Sequence, residues 1–344
     1  MGDIRWHRIS AALAARGHTV HMASAELKWR MPGVRSDPNG PTIVPIAKLD
    51  WRSYDMVKTL FHEGYETLEH YGGADHPFII SKLGSVVGPT DMDGIYFYGR
   101  QRERLYDTQR RIAERARFVA LLTEPAIALW CDMFGPKPEA LLVPGAADAV
   151  IPPPHRDPYP SDGRIRCVFA GNFYSSNERS QPEAHRELCA RLNRLGELLS
   201  EKGARLFVVG PGDQRNLDRR FVTYCGAVDH AASWDYLHFA NVGVVVAAGA
   251  FSHNNESTKI YYYLRAGLPV VSEEGFPNDN LVRQAGLGFV VKNGDSELMA
   301  EKVIEAARTE WDRERAIEFI LAHHTWDRRA EVYDRVLSAA IAHT

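Results

Sequence analysis

A short polar stretch in the second half of the chain could bind an anion. Ser257, Thr258 and Lys259 stand directly before a helical pattern in the sequence STKIYYYLRAG. Hydroxyl groups at a helix start cap free backbone N–H groups, and the remaining N–H groups and the helix dipole favour negative charge. Lys259 adds a full positive charge. The stretch predicts a phosphate or diphosphate site, although a capped helix with an exposed lysine would read the same.

Two aspartates in the first half could act as a general base toward a hydroxyl group. Asp91 and Asp93 lie in GPTDMDGIYFYG, a glycine-bounded loop after an apolar strand pattern at 78–82. Paired loop aspartates also form turn caps, so this reading stays open. Weaker candidates for the base are His62, His70 and His76, and Tyr96, Phe97 and Tyr98 could stack on a sugar or pack in a core.

Apolar periodicity switches repeatedly between helical and strand spacing, which predicts an α/β chain with parallel strands and crossover helices. The first half includes a predicted helix over 54–70, and the second half includes a predicted strand over 242–247. The segment 151–160 holds five prolines and marks a boundary, since proline fits neither a helix interior nor an inner strand. We therefore predict two Rossmann-like domains facing across a cleft, with ligands at the carboxyl ends of the strands. The predicted divisions are 1–148, a linker over 149–163, a second domain over 164–322, and a last helix over 323–344.

Composition excludes several classes. The 344 residues exceed what one core usually supports, and no apolar run approaches the length of a membrane span. The polar start predicts a cytoplasmic protein without a signal peptide. A net charge of −3 argues against strong non-specific binding of nucleic acid, and four scattered cysteines suggest neither a zinc site nor a disulfide framework.

Several motifs in their order resemble the GT-B glycosyltransferases, close to family 4. They are RGHTVHMAS, VPGAAD, FAGNF, LFVVGPGD, VTYCGAVDH, STKIYYYLRAGLPVV and HTWDRRAEVYDRVL. The resemblance implies a nucleotide-diphospho-sugar donor, most readily a UDP-sugar, held by the second domain and used without a metal or other cofactor. The acceptor, a glycan, a lipid-linked sugar or a small molecule, would lie on the first domain. The last helix would cross back to the first domain.

The site residues implied by this resemblance follow the strands of the second domain. The glucuronosyltransferase of xanthan synthesis has a lysine at the start of this helix. By that resemblance, Lys259 would bind the donor diphosphate. Backbone and amide groups of the donor site would include Gly171, Asn172, Gly210, Pro211, Ala227, Val228, Ser257, Thr258 and Tyr262. Glu256 would approach the donor sugar or ribose, unless it is a solvated loop carboxylate.

The chain departs from the family pattern in three respects. Asn254 and Tyr262 stand where family 4 has two glutamates, which favours inversion slightly and leaves the stereochemistry open. The chain begins at a helix, so either the strand that normally precedes this helix is missing from this sequence or the sheet is built without it, and we expect another segment to compensate. A helix over 100–117 carries seven arginines and could contact an anionic membrane at its inner face, or be a solvated helix with internal ion pairs. Alternative functions are a nucleotide-sugar epimerase and an inactive binding or scaffold relative.

Overall fold

A computed structural model describes residues 2–24, 41–88, 99–171, 173, 182–247 and 256–341. The chain forms two compact units. The first unit contains Gly2–Gly145 and the chain from Trp326 onward, and the second contains Ala146–Thr325. Asp91, Asp93 and Asn172 lie outside the described residues, as do Asn254 and Tyr96, Phe97 and Tyr98.

The first unit has a parallel sheet of four strands with sequential order and a separate parallel pair. Its strands are β1 (His21–Ser24), β2 (Thr42–Pro45), β3 (Val57–Leu60), β4 (Ile79–Lys82), β5 (Phe118–Leu121) and β6 (Glu139–Leu142). Its helices are α1 (Gly2–Ala15), α2 (Phe61–His70), α3 (Gly99–Arg115), α4 (Glu124–Phe134) and α11 (Trp326–Ile341), with short 3-10 turns at Ile46–Lys48 and Trp51–Ser53. Strand β1 pairs with β2, and among the described residues no strand pairs with the outer edge of β3.

The prediction of one helix over 54–70 is wrong for its first part. Residues Val57–Leu60 form β3, and α2 begins only at Phe61. Phe61 makes the turn between them with a φ of 58°, a left-handed conformation that non-glycine residues rarely adopt. Val57 packs in the apolar core of this unit, which explains why a short buried strand is favoured here over an extra helical turn.

The last helix, α11, packs against α1 within the first unit. Its buried positions Trp326, Ala330, Tyr333 and Leu337 recur at helical spacing and form one apolar face. Lys58 of β3 points toward the same region, with its Nζ 4.9 Å from the Trp6 ring centre and 5.1 Å from that of Tyr333. This helix therefore belongs to the core of the first unit.

The second unit holds one six-stranded parallel sheet, in the order β12-β11-β10-β7-β8-β9. Its strands are β7 (Ile165–Ala170), β8 (Ala204–Val209), β9 (Val222–Gly226), β10 (Val242–Val245), β11 (Val270–Glu273) and β12 (Gly288–Val291). Its helices are α5 (Pro182–Glu201), α6 (His230–His238), α7 (Thr258–Arg265), α8 (Asn280–Ala285), α9 (Ser296–Arg308) and α10 (Arg313–His323), with a 3-10 turn at Gln214–Asn216. The predicted α/β class with parallel sheets is confirmed.

The order of this sheet reverses beside its first strand. The chain builds β8 and β9 on one side of β7, and then β10, β11 and β12 on the other side. In open α/β sheets such a reversal leaves a crevice at the carboxyl ends of the strands, where ligands bind. The carboxyl ends of β7, β8 and β10 therefore frame the candidate site.

Candidate functional site

Glycines occupy the carboxyl ends of three neighbouring strands. Gly171, Gly210 and Gly226 have φ values of 149°, 135° and 81°. The N–H of Gly171 donates to the carbonyl of Val209 at 2.7 Å, and that of Gly210 donates to the carbonyl of Gly226 at 2.8 Å. A Cβ at Gly210 would collide with the carbonyl oxygen of Gly171. This edge therefore lets a ligand approach the backbone closely.

Two loops continue from these glycines, with Pro211 in one and Ala227 and Val228 in the other, which the family resemblance assigns to the donor site. Pro211 and Ala227 are exposed, and Val228 is half-buried. The loop after β8 is fixed by Phe173, whose N–H donates to the carbonyl of Pro211 at 3.1 Å. The hydroxyl of Tyr224 also donates to the carbonyl of Gly210 at 3.1 Å. Hydrogen bonds from Phe173 and Tyr224 thus hold the main chain of this loop, and Pro211 is exposed to solvent.

The start of α7 differs from the prediction. Ser257 occupies the N-cap position, but its side chain makes no capping hydrogen bond. Its hydroxyl is buried and has no hydrogen-bond partner among the described residues. The predicted capping by this hydroxyl is therefore wrong. Instead, Asn278 bonds the Ser257 main chain, accepting from its N–H and donating to its carbonyl at 2.9 Å each.

Lys259 reaches back over the end of β7. Its Nζ lies 4.4 Å from the ring centre of Phe169, two residues before Gly171. The side chain is partly buried, and no carboxylate pairs with it among the described residues. Burial lowers the pKa of Lys259 to about 8. This ammonium group is partly removed from water and has no carboxylate to pair with among the described residues. A bound anion would therefore be stabilised beside it.

Two other predicted site residues have partners inside the protein. Glu256 is only 8% exposed, and its carboxylate accepts a hydrogen bond from the Tyr261 hydroxyl at 2.9 Å. The ring of Tyr262 packs on that of Trp234, with centres 5.4 Å apart. Glu256 is therefore not a solvated loop carboxylate, and Tyr262 contributes to the core beside α6.

A buried carboxylate that the sequence analysis missed lies at the end of β11. Glu273 is 3% exposed, and it accepts hydrogen bonds from the N–H of Ala247 at 2.6 Å and that of Gly294 at 3.1 Å. Arg191 of α5 pairs with it at 3.3 Å. Burial raises the pKa of Glu273. This carboxylate fixes the chain after β10, at the point where it leaves the sheet toward α7.

In the first unit, the weaker histidine candidates have structural surroundings. His62 is buried and its Nε2 bonds the side-chain oxygen of Gln109 at 3.1 Å. Burial lowers the pKa of His62. His76 is buried and its Nε2 bonds the carbonyl of Tyr54 at 2.8 Å, whereas His70 is exposed. Hydrogen bonds inside the unit thus hold the two buried histidines, and a base role for any of the three stays a prediction.

The arginines of α3 form ion pairs within their own unit. Arg104 pairs with Glu66 at 2.5 Å and Arg115 pairs with Asp75 at 2.7 Å. Arg111 bridges Glu69 and Asp107, and Arg110 bridges Asp107 and Glu114. The helix also buries a face of its own that contains Leu105 and Ile112. Internal ion pairs thus account for four of its arginines.

Neither a metal site nor a membrane-spanning helix is found among the described residues. No group of three or more His, Cys, Asp or Glu side chains within these ranges could hold a metal ion. No helix in the same ranges has the length and apolar character to cross a membrane.

Comparison with known proteins agrees with this arrangement. Residues 195–306 match the family model described as glucosyltransferase 3-like, C-terminal domain. No curated protein sequence matches the chain. Among solved structures, sucrose-phosphate synthase from Thermosynechococcus elongatus has a TM-score of 0.73 and 16% identity, over 100% of this chain and 94% of that one.

Two further structures are similar. WaaG, a glycosyltransferase of lipopolysaccharide biosynthesis, has a TM-score of 0.59 and 15% identity, over 96% of this chain and 91% of that one. The pneumococcal O-GlcNAc transferase GtfA, solved with UDP and GlcNAc, has a TM-score of 0.58 and 12% identity, over 83% of this chain and 57% of that one. The fold is that of the GT-B glycosyltransferases. The sequence similarity to a glucosyltransferase 3-like domain covers residues 195–306, whereas the similarity in fold to sucrose-phosphate synthase covers the whole chain.

Proposed function

We propose that the chain transfers a sugar from a nucleotide-diphospho-sugar to a hydroxyl of a glycan, a lipid-linked sugar or a small molecule. The observation that carries this proposal is the position of Lys259. Its ammonium group lies over the ring of Phe169, two residues before the glycine that follows β7, without an acidic partner among the described residues. The helix dipole of α7 adds positive potential at the same place. A diphosphate is the ligand that this charge and this open backbone fit best.

The same groups would assist the reaction. As the bond between the sugar and the diphosphate breaks, negative charge develops on the leaving phosphate oxygen. Lys259 and the N–H groups at the start of α7 would stabilise that charge, which lowers the barrier if they bind the leaving group more tightly than the intact donor. In this proposal the positive charge comes from the protein and no metal ion is needed.

A UDP-sugar is the donor we propose first. The pneumococcal transferase was solved with UDP, and its fold matches 83% of this chain. The nucleobase of the donor would lie against Pro211, Ala227 and Val228, where main-chain groups and small side chains border the strand ends. Contacts of this kind discriminate weakly between nucleobases, so the relative affinities for UDP, GDP, ADP and TDP identify the base.

The acceptor side is proposed from the sequence alone. Asp91 or Asp93 would take the proton from the acceptor hydroxyl, as inversion requires. The similarity of the Lys259 motif to the xanthan enzyme stays a prediction, as do the cytoplasmic location and membrane contact through α3. The ion pairs within α3 leave fewer of its arginines available for an anionic surface.

A thermal-shift screen of UDP, GDP, ADP and TDP tests the donor site. A diphosphate present at 100 times its Kd should raise the melting temperature by roughly 5–10 °C. The Lys259→Ala variant should lose most of this shift. Lys58→Met is a matched control, because Lys58 is also a lysine that packs on aromatic rings, but it belongs to the other unit. Equal stabilisation of wild type and Lys259→Ala would remove the assignment of Lys259.

Turnover assays separate transfer from the alternatives. Release of the nucleoside diphosphate from a UDP-sugar, with or without an added acceptor, is expected for a transferase. Conversion of the donor sugar without any acceptor would instead indicate an epimerase. Binding without either reaction would indicate an inactive relative.

A further inference from the structure

Asn278 holds the main chain of Ser257 from both sides. The Asn278 side-chain oxygen accepts from the Ser257 N–H at 2.9 Å, and its amide nitrogen donates to the Ser257 carbonyl at 2.9 Å. Both residues are 6% exposed. Two hydrogen bonds from one planar amide fix the peptide groups around Ser257 in position and direction. The start of α7 is therefore oriented by a residue from another loop.

Asn278 is itself held in a compact turn between β11 and α8. The N–H of Leu281 donates to the carbonyl of Asn278 at 3.3 Å, and the N–H of Asp279 donates to that of Phe276 at 2.9 Å. The carboxylate of Asp279 accepts from the N–H of Gly275 at 2.9 Å. The turn carries enough internal bonds to act as a rigid support.

The Ser257 hydroxyl does not act as a helix cap. At most helix starts a serine hydroxyl accepts from an N–H of the first turn. Here the hydroxyl makes no capping bond and stays buried without a hydrogen-bond partner among the described residues. A buried hydroxyl left in this state costs stability, so such groups usually mark a missing ligand or water. The hydroxyl lies two residues before Lys259, at the same helix end.

We propose that Asn278 is a positioning residue that holds Ser257 so that its hydroxyl donates a hydrogen bond to a phosphate oxygen of the donor. This proposal rests on the proposed function and deepens it. Asn278 does not touch the ligand. It aligns the main chain at the start of α7, and Ser257 and Lys259 then contact the diphosphate from adjacent positions.

The test compares a nucleoside diphosphate with its nucleoside. Calorimetry gives the Kd for UDP and for uridine, and the Kd of uridine divided by the Kd of UDP isolates what the diphosphate contributes. Ser257→Ala should weaken UDP binding about ten- to a hundredfold, the usual range for a hydrogen bond to a charged group, and leave uridine within about twofold. Asn278→Ala should also lower the ratio. Asn278→Asp, which keeps the acceptor and loses the donor, should fall between.

Coupling between the two residues is the sharper readout. If Asn278 acts through Ser257, adding Asn278→Ala to Ser257→Ala should lower the ratio only about twofold further. Asn241→Ala is the matched control. The side-chain oxygen of Asn241 also accepts from a main-chain N–H, that of Arg166 at 2.8 Å, but at the amino end of β7, and the main-chain N–H of Asn241 donates to the Arg166 carbonyl at 2.9 Å. It should lower stability and leave the ratio unchanged.

The failures are distinguishable. If none of UDP, GDP, ADP and TDP binds the wild type, the proposed function fails and this inference fails with it. If UDP binds and Lys259→Ala weakens it, but Ser257→Ala and Asn278→Ala leave the ratio unchanged, only the inference about Asn278 is overturned.

Discussion

The protonation of Lys259 gives a quantitative prediction for donor binding. Burial lowers the pKa of Lys259 from 10.5 to about 8 in the free protein. About nine-tenths of these side chains are then charged at pH 7 and about one-tenth at pH 9. A diphosphate binds the charged form, so binding raises the pKa of Lys259. Affinity should therefore be fully present below pH 8 and fall as the pH rises through 8.

The size of the effect follows from those fractions. UDP should bind about tenfold more weakly at pH 9 than at pH 7, because the fraction of charged Lys259 falls about tenfold. The uncharged Lys259→Met variant should bind UDP weakly at both values, with a loss at pH 7 of about 2–3 kcal/mol, or roughly 30- to 150-fold. Calorimetric titration with UDP at half-unit intervals from pH 7 to pH 9 measures both quantities.

A parallel titration with uridine is the control, because it has no diphosphate and should show no such dependence over most of this range. If the wild type and Lys259→Met lose UDP affinity with the same pH profile, Lys259 does not contact the diphosphate. A wild-type affinity that rises between pH 7 and pH 9 would contradict the reasoning as well.

Three further predictions concern stability and can be measured by urea unfolding. Burial lowers the pKa of Lys58 from 10.5 to about 8, so the free energy of unfolding of the wild type should rise as the pH rises from 8 to 10.5. Lys58→Met should raise this free energy by about 1–2 kcal/mol at pH 7, because removing the buried charge gains more than losing the ring contacts costs. Gly210→Ala should cost at least about 2 kcal/mol and abolish UDP binding, whereas Gly203→Ala, with φ of 77° and open space around it, should cost about 1 kcal/mol. Glu66→Gln should cost about 1 kcal/mol or less, since its partner Arg104 is 58% exposed and solvent screens the pair.

The second unit could be predicted well because its local signals agree with its tertiary structure. The strand predicted over 242–247 is present as β10 over Val242–Val245, and the apolar runs that form β7 and β8 each end at a glycine. Gly267 follows α7 with a φ of 64°, a common way for a helix to end. The short helices α8 and α10 were not predicted, because six and eleven residues give a weak periodic signal.

The first unit shows where local reasoning fails. The boundary between β3 and α2 has no glycine or proline, because Phe61 itself takes the left-handed conformation. No turn signal separates the strand from the helix, and the two were read as one helix. The ring of Phe61 lies against Gly84, where a Cβ would be 2.8 Å from it. The conformation thus depends on a residue far along the chain.

The sequence indicates Lys259 as a candidate site residue, but it does not reveal the residues that hold the main chain around the candidate site. Lys259 stands out by its place before a helical pattern. Asn278 and Glu273 act on main-chain groups 21 and 26 residues away, and nothing in their own neighbourhood reveals this. The same holds for the Ser257 hydroxyl, whose place before a helical pattern predicts a capping bond that the folded chain does not make. Contacts of this kind need the folded sheet.

The most direct test of the account is a structure of the protein with UDP bound. We predict that the diphosphate lies at the carboxyl ends of β7 and β8, with an oxygen within about 3 Å of both the Lys259 ammonium and the Ser257 hydroxyl. A diphosphate bound elsewhere in the chain, with Lys259 still resting on Phe169 and touching no phosphate, would contradict it.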